Sequence, residues 1–136
     1  IEVVESERGG VLHQVIGYES DMAAVYAAAD LLVGRGGAST VHEVAATGIP
    51  AILVPWSGAA DDHQTQNVRW LSDVDAAIMM REGQLGSGLA AAIEDLRNDD
   101  AARDRLAAAA RRRGEVHRSG ALAALIERVA IASSPR

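Results

Sequence analysis

The stretch from residue 28 to residue 56 most constrains the fold. An apolar run, AADLLV, and a second, PAILVPW, flank the segment GRGGASTVHEVAATG. Each run is short and rich in branched aliphatics, so each reads as a buried strand. A helix between two such strands is a crossover, and crossovers of this length join parallel strands. The alternation continues on both sides. VLHQVIGY (11–18) reads as a strand and SDMAAVYAAA (20–29) as a helix with Ser20 as N-cap. DLLVG (30–34) is a strand, and STVHEVAAT (39–47) is a helix stopped by Gly48 and kept from resuming by Pro50. AILVPW (51–56), a helix over 61–74 with Val68 and Leu71 on one face, and the strand AAIMM (76–80) follow. Helices over 87–98, 100–113 and 121–132 close the chain. Continuous apolar strands fit a parallel sheet covered on both faces, hence a doubly wound α/β domain. Ligands of such sheets bind beyond the carboxyl ends of the strands. That geometry sets RGGAST, WSGAADDHQ and YESDM along one rim.

Composition narrows the partners. The chain has 136 residues, a length that suits one domain, and no Phe, so its core is built from Ala, Val, Leu and Ile. There is no Cys, which excludes disulfides and thiolate metal sites. A net charge of -6 argues against nucleic acid as the main partner. The basic cluster Arg111–Arg113 falls at a helix end, where the helix dipole favours it. No apolar stretch approaches the roughly 18 residues of a spanning helix. The opening, IEVVESERGG, is charged and ends in a turn, with no secretory signal pattern. The first residue is Ile rather than Met, and the expectation is a fragment of a longer protein.

The glycine join has two readings. A helix N-terminus carries unpaired N–H groups and a partial positive charge, and small residues let a phosphate approach it. Gly36, Gly37 and Ala38 are small, and Ser39 and Thr40 add hydroxyls. The alternative is a tight turn with a capped helix, since Thr40 and Glu43 have the capping-box spacing. Glu43 accordingly either accepts the hydroxyls of a ribose or completes that box. The join is neither the dinucleotide fingerprint nor a P-loop.

On the second rim, Gln64 and Asn67 are three residues apart and share one helix face. Paired amides there suit hydroxyl-rich ligands such as sugars, or form a polar surface turn. Trp56 either stacks on a ligand or covers the sheet edge. Asp61, Asp62 and His63 are adjacent, a poor geometry for one metal ion. His13 and His117 have no evident partners, His42 is set toward solvent, and Asp99 and Asp100 mark a helix start. No Ser-His-Asp arrangement or catalytic carboxylate pair emerges.

Taken together, YESDMAAVYAAADLLVGRGGASTVHEVAATGIPAILVPW followed by DHQTQN resembles the C-terminal half of the MurG-type glycosyltransferases. The combination D-M-x-x-x-Y-x-x-A-D, G-A-x-T-x-x-E, G-x-P and Q-x-x-N carries the resemblance, from about Val15 to Ala77 and more loosely beyond. It implies the C-terminal half of a GT-B fold, a Rossmann-like domain that binds UDP-GlcNAc. Gly37, Ala38, Ser39 and Thr40 would then border the UDP phosphates, and Glu43 would hold the ribose diol. Gln64 and Asn67 would contact GlcNAc hydroxyls. Glu19, through its backbone, and Met22 would lie near uracil, although Glu19 stands where the family usually has an apolar residue.

The resemblance further implies an enzyme that transfers GlcNAc to a lipid-linked muramyl-pentapeptide in peptidoglycan synthesis. It would act with inversion and without a metal or other cofactor, peripherally on the cytoplasmic side of the cell membrane. The family's first strand, Gly-Ser loop and helix of this domain, and its acceptor domain, precede anything seen here. Residues 1–136 would therefore be a partial donor-binding domain with no catalytic base of its own. Two alternatives stand beside this one: the donor domain of another UDP-sugar transferase, acting on lipids or secondary metabolites, and a non-catalytic nucleotide-binding module.

Overall fold

A computed structural model describes residues 3–8, 11–58 and 62–132. Ile1, Glu2, Gly9, Gly10, the stretch 59–61 with Asp61, and the tail SSPR lie outside the described residues. Two strands, β1 (Val3–Arg8) and β2 (Val11–Ile16), open the chain. Then come α1 (Met22–Ala28), β3 (Leu32–Arg35), α2 (Ala38–Thr47), β4 (Ala51–Val54), α3 (His63–Ser72) and β5 (Ile78–Met79). A 3-10 turn, Glu82–Gln84, leads into α4 (Leu85–Asn98), α5 (Asp100–Arg113), α6 (Glu115–Arg118) and α7 (Ala121–Ala132).

The parallel sheet has the order β3-β4-β5, with β4 at its centre. Leu32 aligns with Ala51 and Arg35 with Val54, and Ile52 aligns with Ile78. All four residues of β4 are buried, as a strand covered on both faces requires. Its alternating side chains separate two cores. Ala51 and Leu53 pack with Val41, Val44, Val68 and Leu71 of α2 and α3, while Ile52 and Val54 pack with Met80, Leu96 and Leu106 on the opposite face. Helix α5 serves both layers, Ala109 and Ala110 in one and Leu106 in the other. The expected α/β architecture with flanking helices is what forms, and its core is aliphatic.

Four local expectations need correction. First, the strand over 11–18 does not join the parallel sheet. It pairs antiparallel with β1, from Val3 opposite Ile16 to Arg8 opposite Val11. The sequence signal was there: two strand-length segments separated by Gly-Gly is a hairpin pattern. Second, the N-cap of α1 is Asp21, not Ser20; Asp21 Oδ1 accepts from Ala24 N–H at 3.0 Å. A carboxylate there satisfies a free N–H and also suits the helix dipole. Third, the Thr40–Glu43 capping box does not form, because α2 begins earlier, with Gly37 as its cap. Fourth, His42 and His117 are partners: Nδ1 of one lies 3.1 Å from Nε2 of the other. Trp70 stands edge-on to His42, and the Arg113 guanidinium lies 4.7 Å above the Trp70 ring.

Other boundaries follow the residues expected to set them. Gly48 ends α2 with a left-handed φ of 75°, Asp99 caps α5 by accepting from Ala102 N–H at 2.8 Å, and the three arginines close α5.

Candidate functional site

The site grows from the carboxyl end of β3. The strand stops at Arg35, and Gly36 and Gly37 carry the chain into α2. These two glycines answer to different demands. Gly36 is buried, and a Cβ there would stand 2.8 Å from the backbone oxygen of Gln64 and collide with Val68. It lets the turn lie flat on α3. A Cβ on Gly37 would meet nothing within 4 Å, so that side of the turn is open.

Helix α2 makes its first backbone bond from Val41 N–H to the Gly37 oxygen, at 3.0 Å. The N–H groups of Gly37, Ala38, Ser39 and Thr40 precede that bond and have no partner within the helix. No side chain caps them. Ala38 and Ser39 are exposed and Thr40 partly so. The result is an open, positively polarised helix end at the rim where such sheets bind ligands.

Gln64 and Asn67 are brought together on this turn. Gly36 N–H donates to Gln64 Oε1 at 3.2 Å, and Asn67 Nδ2 donates to the Gly36 oxygen at 3.2 Å. The same Gln64 oxygen accepts from Trp56 N–H at 3.0 Å, so one carboxamide ties the loop after β3 to the loop after β4. Both amides thus brace the turn. Nε2 of Gln64 and Oδ1 of Asn67 remain beyond these bonds. Trp56 itself is half exposed at the rim.

Glu43 lies one turn into α2 and is partly buried. Its Oε2 accepts from the Tyr26 hydroxyl at 2.7 Å. Burial, then the hydrogen bond to Glu43, pushes the Tyr26 phenol up to about 12. Met22, the first residue of α1, is four residues before Tyr26 and so shares the face of α1 that meets Glu43. Glu19 uses its side chain locally, accepting from Asp21 N–H at 2.7 Å. Among the described residues no hydrogen bond joins Glu19 or Met22 to the glycine turn.

A third link was not foreseen from sequence. Glu82, in the turn after β5, accepts from Arg35 Nη1 at 2.6 Å through one oxygen. Its other oxygen accepts from Ser57 N–H at 3.2 Å and from the Ser57 hydroxyl. The Ser57 hydroxyl, and then the Arg35 guanidinium, hold the Glu82 carboxyl below its ordinary value. The loops after β3, β4 and β5 are therefore cross-tied at one rim. Arg35 and Glu82 are 47 positions apart; only the fold brings them together. Among the described residues no group of three or more His, Asp or Glu is arranged to hold a metal ion.

A parallel sheet flanked by helices, with a glycine turn that feeds an open helix end at the strand termini, defines a Rossmann-like α/β unit. More narrowly, the chain belongs to the family described as glycosyltransferase family 28 C-terminal domain, whose model matches residues 2–121. Among similar proteins are transferases named UDP-N-acetylglucosamine–N-acetylmuramyl-(pentapeptide) pyrophosphoryl-undecaprenol N-acetylglucosamine transferase. That of Xanthomonas campestris pv. campestris is 46% identical over 93 residues, 68% of this chain and 22% of the relative. That of Burkholderia ambifaria is 45% identical over 83 residues, 61% of this chain and 23% of the relative. The crystal structure of Acinetobacter baumannii MurG superposes with a TM-score of 0.66 at 35% identity, covering 73% of this chain and 28% of that one. The chain thus spans less than a quarter of the curated relatives' length.

Proposed function

We propose that residues 1–136 form part of the donor-binding domain of a MurG-type transferase, taking UDP-GlcNAc for peptidoglycan synthesis. One observation carries the reading: Gly37–Thr40 presents four N–H groups without helical partners on the open side of a turn that Gly36, Gln64 and Asn67 hold in place. A diphosphate fits such a helix end by charge and by hydrogen-bond number. Glu43 takes the ribose diol with the carboxylate oxygen that Tyr26 does not occupy. Gln64 and Asn67 turn their remaining amide atoms to the sugar, and Glu19 and Met22 border the uracil. The names of the relatives support the choice of donor and of a lipid-linked acceptor.

In the whole enzyme the acceptor hydroxyl attacks the anomeric carbon with inversion and UDP leaves. The diphosphate gains negative charge as the glycosidic bond breaks. Dipoles already aimed at it by α2 stabilise that charge in the transition state without reorganising. Acceptor recognition, the general base and contact with the cytoplasmic face of the membrane belong to parts of the relatives that this chain does not span. No helix among the described residues is long and apolar enough to cross a membrane.

Calorimetric titration of the full-length protein with UDP and UDP-GlcNAc tests the proposal. Preference for UDP-GlcNAc, with binding weakened about tenfold or more in Glu43→Ala and Gln64→Ala, is the expected result. UDP binding indifferent to the sugar would point to another UDP-sugar transferase. No nucleotide binding by folded protein would end the donor reading.

A further inference from the structure

Glu43 is not a free carboxylate. Seventeen residues earlier, on a different helix, Tyr26 donates its hydroxyl to Glu43 Oε2 at 2.7 Å, in a partly buried setting. The Tyr26 ring packs against the core cluster that includes Val41, Val44 and Leu71. The phenol is thus fixed by packing at one end and by a charge-assisted bond at the other. A phenolic O–H has one proton to give, and a carboxylate has two oxygens to receive. The bond engages Glu43 Oε2 and restricts the rotation of the group, which favours one presentation of Oε1 to a ligand.

We propose that Tyr26 is the positioning residue for ribose recognition by Glu43. The inference rests on the donor-binding reading, in which Glu43 meets the ribose hydroxyls. A glutamate on a helix samples several rotamers, and ordering one on binding weakens affinity. Tyr26 does that ordering before the nucleotide arrives. Its phenol is a donor throughout the neutral range, and burial with the Glu43 bond pushes its pKa up further, to about 12.

The test compares UDP with 2′,3′-dideoxy-UDP on the full-length protein, as wild type, Tyr26→Phe, Glu43→Ala and the double variant. Phe keeps the ring and removes only the hydroxyl. In the wild type the ribose hydroxyls strengthen binding. In Tyr26→Phe the ratio of the two affinities should fall by roughly three- to tenfold, the cost of ordering one flexible side chain. In the Glu43→Ala background, Tyr26→Phe should change nothing further. Any loss of folded protein lowers both affinities together and cancels in the ratio, so the comparison survives a destabilised variant. An unchanged ratio in Tyr26→Phe, with the wild type discriminating, overturns the role of Tyr26 alone. A wild type that binds UDP and the dideoxy analogue equally overturns ribose recognition by Glu43 and the inference with it. A wild type that binds neither overturns the donor-binding reading itself.

Discussion

At the scale of single residues, neighbours with the same side chain do different work. Gly36 has no room for a methyl group, whereas Gly37 faces open space with an ordinary φ of -64°. Gly36→Ala should therefore destabilise the fold by about 1–3 kcal/mol, because its Cβ meets backbone that cannot swing away. Gly37→Ala should cost under about 1 kcal/mol, as an ordinary change of N-cap, yet weaken UDP binding by crowding the open side. Thermal denaturation and nucleotide titration of the two variants check the contrast; equal stability losses would refute it. Glu82 makes a second test. Its folded pKa lies below the ordinary 4.5, first through the Ser57 hydroxyl and then through Arg35. A depressed acid contributes stability that is present above its unfolded pKa and lost as pH falls through the folded value. Glu82→Gln should be less stable than wild type at neutral pH, and the gap should close below about pH 4.5. Denaturant melts across that range read it out.

Among elements, α2 is the pivot. Its front end is the open helix terminus and its rear half is locked by α6. Gly114 lies so close to the Ala45 carbonyl that a Cβ would collide with it. Arg118 Nη1 donates to the oxygens of Ala45 and Ala46 at 3.1 and 3.0 Å, near the C-terminus of α2 where carbonyls lack helical partners. Arg118→Ala should loosen α6 and α7 by about 1–2 kcal/mol, as charge-assisted bonds are lost. Hydrogen exchange should quicken in residues 115–132 and stay unchanged in β4; uniform acceleration would contradict a local lock.

How much of this could be read from sequence depends on range. Strands β3 and β4, helix α2 and its stop at Gly48 were legible, because apolar runs, branching and glycine act within a few residues. The β1–β2 hairpin is harder to read: the apolar residues of β2 suggest the parallel sheet, while the charges in β1 mask a strand that pairs antiparallel with it. The spacing of Gln64 and Asn67 sets them on one face of α3, but their grip on Gly36 depends on a neighbouring loop. The Tyr26–Glu43 bond, the Glu82 cross-tie and the His42–His117 pair join residues far apart in the chain, where local pattern carries no information.

For the molecule as a whole, the net charge of -6 repels an anionic ligand in bulk, so attraction has to be concentrated in one place. The front of α2 supplies it on one rim, since the charge of nearby Arg35 is already met by Glu82. Apolar side chains stay exposed elsewhere, among them Leu12, Val15 and Val25. No residue of α1 is buried, so that helix is secured by Tyr26 and its cap more than by a deep apolar face. The shared oxygen of Gln64 has an optical consequence. A nucleotide that tightens the glycine turn also pulls, through that oxygen, on the backbone of Trp56, whose indole is half in water. Trp56 emission should shift as the rim fills, giving an intrinsic, label-free signal. Trp70, the other tryptophan, sits beneath Arg113 but lines a hollow with Ala38 and Asn67, so Trp56→Phe should reduce the response and any signal it leaves should come from Trp70.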